Sequence, residues 1–251
     1  MSLPEITDHD TWLAARREHL KEEKRLTREL DQLNAARRRL PMVKIEKTYE
    51  FVGADETVTL RDLFGDHRQL IVQHFMFDPS WDAACNSCTR MADSSATASI
   101  LRQLDARGTA FAAISRAPYA KLQATKEQHG WSFPWYSSHD NDFNYDFHVS
   151  FDPDKVPTQW NFTDATDMVG TDLEWLVTYV GEQPGISCFL REGEDIYLTY
   201  SSYGRGVEAM MPTYRLLDLT GLGRQEPWEE PKGRAGAEFD SGESVLSDKL
   251  L

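Results

Sequence analysis

Two cysteines, Cys85 and Cys88, stand one helical turn apart in residues 75–90, FMFDPSWDAACNSCTR. A C-x-x-C pair can cycle between dithiol and disulfide, supply half of a zinc site, or consist of two inert thiols. A structural zinc site needs about two more ligands, yet the third cysteine is Cys188, and the sequence has no second C-x-x-C and no paired histidines. The composition therefore favours a redox pair and predicts no metal site.

The elements around the pair indicate how its chemistry would be divided. Residues 69–77 form a nearly continuous apolar run, typical of a strand buried on both faces, and residues 85–107 are helix-like up to Gly108. A helix that begins near Cys85 turns its free N–H groups and positive dipole end toward that sulfur. Such a setting stabilises a thiolate, while Cys88 lies below it on the same helical face. We predict Cys85 as the attacking thiolate and Cys88 as the resolving thiol.

Strands and helices alternate through the middle of the chain, which predicts an α/β fold with parallel strands and right-handed crossovers. A hairpin is expected at 186–202, and a closing helix at 206–219. We therefore expect a mixed central sheet flanked by helices. The alternating elements are the strands 69–77, 110–115 and 133–138 and the helices 85–107 and 119–130.

Residues 10–40 are predicted to form one long helix, with Asp10 as its N-cap and Pro41 as its stop. Its leucines form a narrow apolar stripe. Residues 11–40 hold nine Lys or Arg against five Asp or Glu, so a local charge of +4 leaves −18 on the rest of the chain. We expect the helix either to lie on its own domain or to support a homodimer.

The chain divides into an N-terminal helical extension (1–45), a main domain (46–225) and an acidic tail (226–251) that we expect to be extended. The formal charge of −14 argues against nucleic acid as a partner, because phosphate binding relies on Lys and Arg. No apolar run approaches the roughly 18 residues of a membrane helix, and no secretory signal is visible. We predict a cytoplasmic protein without a membrane partner.

Several separate motifs occur in an order that resembles a bacterial thioredoxin-like family of unknown function, related to thioredoxins and peroxiredoxins. Its members are described as predicted dithiol–disulfide oxidoreductases. The resemblance spans about residues 10–225 and implies a thioredoxin-like fold with an added long N-terminal helix. Its motifs, besides the C-x-x-C pair, are RRRLPMV (37–43), QLIVQHFMFDPSW (69–81), ISRAP (114–118), GWSFPW (130–135), DFNYDF (142–147) and YSSYGRG (200–206).

The resemblance also implies a substrate groove beside the cysteines. Pro184 matches the position of the cis-proline that precedes the antiparallel strand in thioredoxin folds, and Pro134 is its rival. Thioredoxins carry Trp directly before the first cysteine, whereas here Ala84 stands there and the nearest tryptophan is Trp81. Arg116 follows a buried strand on the side of the sheet where ligands bind. Pro184, Trp81 and Arg116 are thus the predicted substrate-binding residues, although Arg116 also fits an ion pair with an acidic loop.

We expect a thiol–disulfide oxidoreductase that acts on a protein or small-molecule thiol or disulfide without a cofactor. Alternatives are a non-catalytic binding or scaffold protein on the same fold and a peroxiredoxin-like thiol peroxidase. The peroxiredoxin signature P-x-x-x-T-x-x-C is not matched, because Asp82 stands in the place of Thr. A carboxylate there would disfavour a thiolate at Cys85 unless it points away. Cys188, inside a predicted strand, is expected to be buried and inert.

Overall fold

The computed structural model describes residues 3–226 and 228–231. Its α-helices are α1 (His9–Arg37), α2 (Asn86–Ser95), α3 (Ala98–Asp105), α4 (Tyr119–His129), α5 (Phe143–Asp146), α6 (Ala165–Met168) and α7 (Pro212–Leu217). Its strands are β1 (Val43–Lys44), β2 (Glu50–Val52), β3 (Thr57–Thr59), β4 (Gln69–His74), β5 (Thr109–Ser115), β6 (Trp135–Ser137), β7 (Ser150–Phe151), β8 (Gln159–Trp160), β9 (Thr163–Asp164), β10 (Gly181–Glu182), β11 (Gly185–Glu192) and β12 (Asp195–Tyr203).

Eight strands form the central sheet in the order β1-β12-β11-β4-β5-β6-β2-β3. β4, β5 and β6 are parallel, whereas β11 runs antiparallel to both β4 and β12. Along the chain, the centre reads β4, α2, β5, α4, the hairpin β11–β12 and α7, which is the connectivity of a thioredoxin-like fold. The predicted mixed α/β sheet with flanking helices and a long N-terminal helix is confirmed.

Apolar side chains fill both faces of this sheet. Alternate residues of β4 and β5 point to opposite faces, as the period of a strand requires. Leu70 and Ala112 join one buried cluster with Phe189 of β11, while Phe111 and Ala113 join a second cluster beneath α2 and α4. The nearly continuous apolar composition of these two strands follows from that burial on both sides.

The long N-terminal helix is shorter than predicted. α1 spans His9–Arg37, whereas the prediction was 10–40. Its N-cap is Asp8, whose Oδ1 accepts a hydrogen bond from the Thr11 amide at 2.9 Å. Asp10 lies in the first turn instead, and the helix ends at Arg37. Carboxylates at both positions suit the positive end of the helix dipole, which is why the sequence did not distinguish them.

The helix predicted at 85–107 is divided into α2 and α3. Near the break, the Ser95 hydroxyl donates to the carbonyl of Met91 at 2.6 Å, a side-chain bond that competes with regular helix geometry. Thr97 then caps α3 by accepting from the Ile100 amide. The Ser95 hydroxyl therefore favours the end of α2, and the Thr97 hydroxyl caps the start of α3.

Two other parts of the chain differ from the prediction. The closing helix at 206–219 consists of a 3₁₀ helix, Gly204–Met210, followed by α7, which begins at Pro212. Between α5 and β11 lie the short strands β7–β10, α6 and a second 3₁₀ helix, Glu174–Thr178. None of these had been predicted, because two-residue strands are too short to carry a hydrophobic period.

The domain boundaries at 45/46 and 225/226 stay predictions. β1, which follows α1, pairs with β12 and forms one edge of the central sheet. Residue 227 and residues 232–251 lie outside the described residues, and with them most of the predicted tail. Trp228 is described, and its ring lies 4.5 Å from the Arg205 guanidinium carbon. Within residues 3–226 and 228–231, no helix combines the length and apolar character that a bilayer crossing needs.

His74, the last residue of β4, is a buried polar side chain in the core, only 2% exposed. Its Nε2 lies 2.8 Å from the Ser187 hydroxyl, which in turn lies 3.0 Å from the hydroxyl of Ser201. The rings of Phe143 and Phe147 pack against the imidazole. Burial lowers the pKa of His74 to about 3, because a charged imidazole loses its hydration there.

We expect His74 to make the fold sensitive to acid. The unfolded chain binds a proton below about pH 6.5, whereas the folded chain takes it only near pH 3. Stability is therefore complete above about pH 6.5 and falls by about 1.4 kcal/mol per pH unit below it. His74→Gln keeps a hydrogen-bond partner for Ser187 but removes the imidazole. Its unfolding free energy in urea should therefore fall by about 1.4 kcal/mol less per pH unit than that of the parent between about pH 6 and 4. An equal fall in unfolding free energy with pH for the variant and the parent would contradict this.

Candidate active site

The loop between β4 and α2 is held on both sides before it reaches the cysteines. The Asp78 carboxylate accepts from the amide of Ser80 at 2.8 Å and from its hydroxyl at 2.6 Å, which closes a tight turn. The Lys121 ammonium of α4 donates to the carbonyls of Pro79 and Trp81 at 2.8 and 2.7 Å. The half-buried indole of Trp81 packs against the same apolar cluster as Cys85, and its role in substrate binding stays a prediction.

Cys85 occupies the N-cap position of α2. Its amide donates to the carbonyl of Met76 at 3.2 Å, and its own carbonyl accepts from the Thr89 amide at 3.0 Å. The partly exposed sulfur thus lies at the end of the helix where backbone N–H groups are free. The hydroxyl of Ser87 lies 3.3 Å from this sulfur.

Cys88 lies below Cys85 and is only 1% exposed. Its sulfur accepts a hydrogen bond from the amide of Met76 at 3.5 Å and packs against Phe77 and Ala92. Neither cysteine is in a disulfide. The first thiol is half-buried and the second is buried, so access from outside is easier to Cys85 than to Cys88.

The two thiols have opposite pKa shifts. The Cys88 thiol donates to the Cys85 sulfur, and this bond, with help from the Ser87 hydroxyl and the amides of both residues, lowers the pKa of Cys85 to about 5 despite burial. The pKa of Cys88 is raised well above its ordinary value, first by the same hydrogen bond and then by burial. The shared proton therefore stays on Cys88, and at neutral pH the structure supports a thiolate at Cys85.

Asp82 does not oppose this thiolate. The carboxylate is exposed, and it is not among the groups that shift the pKa of Cys85. Solvent around the exposed carboxylate screens the repulsion anticipated from its position in the sequence.

Arg116 lies at the centre of a partly buried ion cluster near the cysteines. Its guanidinium donates to Oε1 of Glu182 at 2.8 Å and to Oδ2 of Asp78 at 3.4 Å, and it lies 4.9 Å from the centre of the Tyr145 ring. The second oxygen of Glu182 accepts from the Ser150 hydroxyl at 2.7 Å. Of the two roles weighed for Arg116, the structure shows the acidic partner; its role in substrate binding stays a prediction.

Glu182 is a further charged residue at this site, and sequence reasoning missed it. The side chain is 1% exposed, and burial raises its pKa although Ser150 and Arg116 act in the opposite direction. Its charge contributes to the raised pKa of Cys88. The signal in the sequence was a lone acid two residues before Pro184, which no motif singled out. Tyr179, whose hydroxyl donates to the Glu182 carbonyl, was missed as well.

The prediction that Pro184 follows a cis peptide bond is wrong. Among the described residues the cis bond joins Glu230 and Pro231, so the bonds before Pro184 and its rival Pro134 are trans. Pro184 does precede β11 directly, and Gly185 pairs with His74 at the end of β4. Its role in substrate binding stays a prediction, whereas the expected isomer is not observed.

Cys188 lies apart from the pair, within β11. It packs with Ile186 and Met91 in a separate apolar cluster, and burial raises its pKa to about 11. A thiol that stays protonated and half-buried is a poor nucleophile, as predicted for this residue. In the described part of the chain, no three His, Cys, Asp or Glu side chains are grouped to hold a metal ion.

Comparison with solved structures finds similar chains among the peroxiredoxins. A cysteine-to-serine mutant of peroxiredoxin Q from Xanthomonas campestris is 17% identical over 73% of this chain and 93% of its own, with a TM-score of 0.42. Peroxidoxin BcpB from Mycobacterium tuberculosis is 10% identical over 68% and 91%, with a TM-score of 0.46. The activities of those proteins belong to them and are not transferred to this chain. No curated protein matches in sequence.

A family model matches residues 1–240, which include α1, the central sheet and both cysteines of the pair. The model is described as a bacterial protein of unknown function, DUF899. The match extends over nearly all of the 251 residues, so the structural features above lie within it. The chain belongs to the DUF899 family.

Proposed function

We propose that this protein is a thiol–disulfide oxidoreductase in which Cys85 attacks and Cys88 resolves. The observation that carries the proposal is the placement of the two thiols, with the half-buried Cys85 at the N-cap of α2 and the buried Cys88 within the first turn of that helix. It supplies an accessible thiolate and, directly beneath it, a second thiol that substrate cannot reach first. These are the two parts that intramolecular resolution of a mixed disulfide needs.

The reaction takes place in two exchanges. The Cys85 thiolate attacks one sulfur of a substrate disulfide, which forms a mixed disulfide and releases the other sulfur as a thiolate that takes up a proton. Cys88 then loses its proton and attacks the Cys85 sulfur, which releases the second substrate thiol and leaves a Cys85–Cys88 disulfide. In this direction two electrons pass to the substrate, and an external dithiol returns them to the pair. The same two exchanges in reverse let the oxidised pair accept two electrons from a dithiol, which becomes a disulfide.

The environment of Cys85 favours disulfide exchange over peroxide reduction. The groups that lower its pKa are the thiol, hydroxyl and amide groups of Cys88 and Ser87. Arg116, the guanidinium of the site, is bonded to Glu182 and Asp78 instead. A cation against the sulfur would help to stabilise the charge that develops on a departing peroxide oxygen. Neither an arginine nor a lysine is among the main groups that lower the pKa of Cys85.

The parent protein, regenerated by an external dithiol, should reduce insulin disulfides. We expect Cys85→Ser to abolish this activity. Cys88→Ser should instead accumulate a mixed disulfide between Cys85 and substrate, seen as an added mass that a reductant removes. Cys188→Ser is the matched control and should retain activity, because its thiol belongs to another cluster. Equal activity in the parent and Cys85→Ser would overturn the proposal.

A parallel experiment with hydrogen peroxide distinguishes the proposed reaction from that of a thiol peroxidase. Hydrogen peroxide would turn Cys85 of a peroxidase rapidly into a sulfenic acid, which a dimedone adduct reports. We expect slow adduct formation beside fast disulfide exchange. The reverse order of rates would favour the peroxidase, and the absence of both reactions would favour a binding or scaffold protein.

A further inference from the structure

α1 is a long helix whose apolar side chains are left uncovered within the chain. None of its residues is buried, and Leu26, Leu30 and Leu33 are 54%, 48% and 57% exposed. Their spacing of four and three residues puts them on one face, which we name the leucine stripe. Trp12 and Leu40, also exposed, lie toward the two ends of the same segment.

A helix of this length needs more support than its own sequence supplies. The 29 residues of α1 extend about 43 Å, and helices in proteins gain most of their stability from packing an apolar face. The ion pairs along α1, such as Glu18–Lys21 and Arg25–Glu29, are solvent-exposed and contribute little to stability. An uncovered stripe of leucines is the face that such packing would bury.

Charge is separated along α1 in a way that selects the partner. Residues 8–23 hold five acidic and three basic side chains, a net −2, whereas residues 24–39 hold six basic and two acidic, a net +4. Two copies placed side by side in parallel would align like charges. In an antiparallel pair each acidic half lies against a basic half, which favours association and fixes its direction.

We propose that a second copy of this chain covers the leucine stripe through an antiparallel α1–α1 contact. The two-fold axis lies near Leu26, because Trp12 and Leu40 are equally far from it along the chain. Each Trp12 then packs against the partner's Leu40. Such a contact is isologous, since both copies contribute the same surface.

The surface next to the end of α1 is apolar as well. A groove of about 560 Å³ is lined by Leu40 and Met42 of the connection after α1 and by Ile71, Leu104 and Leu190 of the main domain. It would extend the contact beyond the two helices and receive the partner's Trp12. The contact is independent of the thiol chemistry, and its tests do not use activity.

Light scattering after size exclusion tests the contact with the full chain. We expect about twice the 28.7 kDa of one chain for the parent protein and the monomer mass for Leu30→Glu. Leu20→Glu is the matched control: this exposed leucine lies roughly 80° around the helix from Leu30, so its variant should remain dimeric. A monomeric parent overturns the proposal, and so does a dimeric Leu30→Glu.

Helix content by circular dichroism accompanies these measurements. If both glutamate variants are monomeric with unchanged helix content, the contact is not confined to the leucine stripe and the proposal fails. If both lose helix, cross-linking of single-cysteine variants decides, because these keep the charges and most of the apolar surface.

Cross-linking reports the direction of the two helices in a background without native cysteines, Cys85→Ser, Cys88→Ser and Cys188→Ser. With a short bismaleimide, Leu26→Cys should link to its own copy, whereas Trp12→Cys alone should not. The double variant Trp12→Cys, Leu40→Cys should link between chains, since the helical part from Trp12 to Arg37 alone extends about 37 Å within one chain. Self-linking of Trp12→Cys would indicate a parallel pair and overturn the antiparallel contact.

Discussion

Alkylation of Cys85 by iodoacetamide is expected to be half-maximal near pH 5, the value to which its pKa is lowered. At pH 6 about nine tenths of such a thiol is thiolate, against less than about one hundredth for an ordinary cysteine. Because the hydrogen bond from Cys88 is the largest cause, Cys88→Ala should raise the midpoint by at least about one pH unit. Mass spectrometry of the Cys85 peptide measures the rate at each pH.

Two further variants test whether the cause is correctly assigned. Ser87→Ala should raise the midpoint by less than Cys88→Ala, since its hydroxyl contributes less. Asp82→Asn should leave the midpoint unchanged, because the exposed carboxylate is not among the groups that act on Cys85. A midpoint near about 8.5 in the parent, or a fall in the midpoint on Asp82→Asn, would contradict this account.

Replacing Arg116 by methionine is expected to cost about 3–5 kcal/mol of unfolding free energy. The substitution leaves the carboxylate of Glu182, which is nearly inaccessible to water, without its cation. Because burial already raises the pKa of Glu182, the carboxylate can take up a proton instead. The cost should therefore be smaller at pH 5 than at pH 8. Urea unfolding at both pH values gives the difference.

A double variant distinguishes an unpaired charge from a loss of packing. Glu182→Gln removes the charge and retains an oxygen for the Ser150 hydroxyl. Arg116→Met combined with Glu182→Gln should therefore be more stable than Arg116→Met alone. If the two costs simply add, the ion pair is not what Arg116 contributes, and its contacts with Asp78 and Tyr145 would explain the loss.

The sequence was most informative where one period continues over many residues. The apolar runs of β4 and β5 predict strands buried on both faces, and the uninterrupted polar pattern before Pro41 predicts a long helix. The position of Cys85 at the start of a helix follows from the same two elements. These features depend on neighbours along the chain, so they can be read without knowing the fold.

The features that escaped prediction depend on residues distant in sequence. Glu182 and Arg116 meet across 66 positions, and neither residue alone indicates the other. The division between α2 and α3 depends on which hydroxyls bond back to the helix, and the short strands β7–β10 exist because other segments hold them. The isomer of the bond before Pro184 is also a matter of tertiary context, since both isomers are open to an X-Pro bond.

Electrons are expected to flow into the Cys85–Cys88 pair more readily than out of it. The hydrogen bonds that hold the Cys85 thiolate exist only in the reduced protein, since they are lost when that sulfur joins a disulfide. Stabilising the reduced form of a dithiol raises its reduction potential. Stabilisation of the Cys85 thiolate by its neighbours would thus poise the pair as an oxidant of other dithiols.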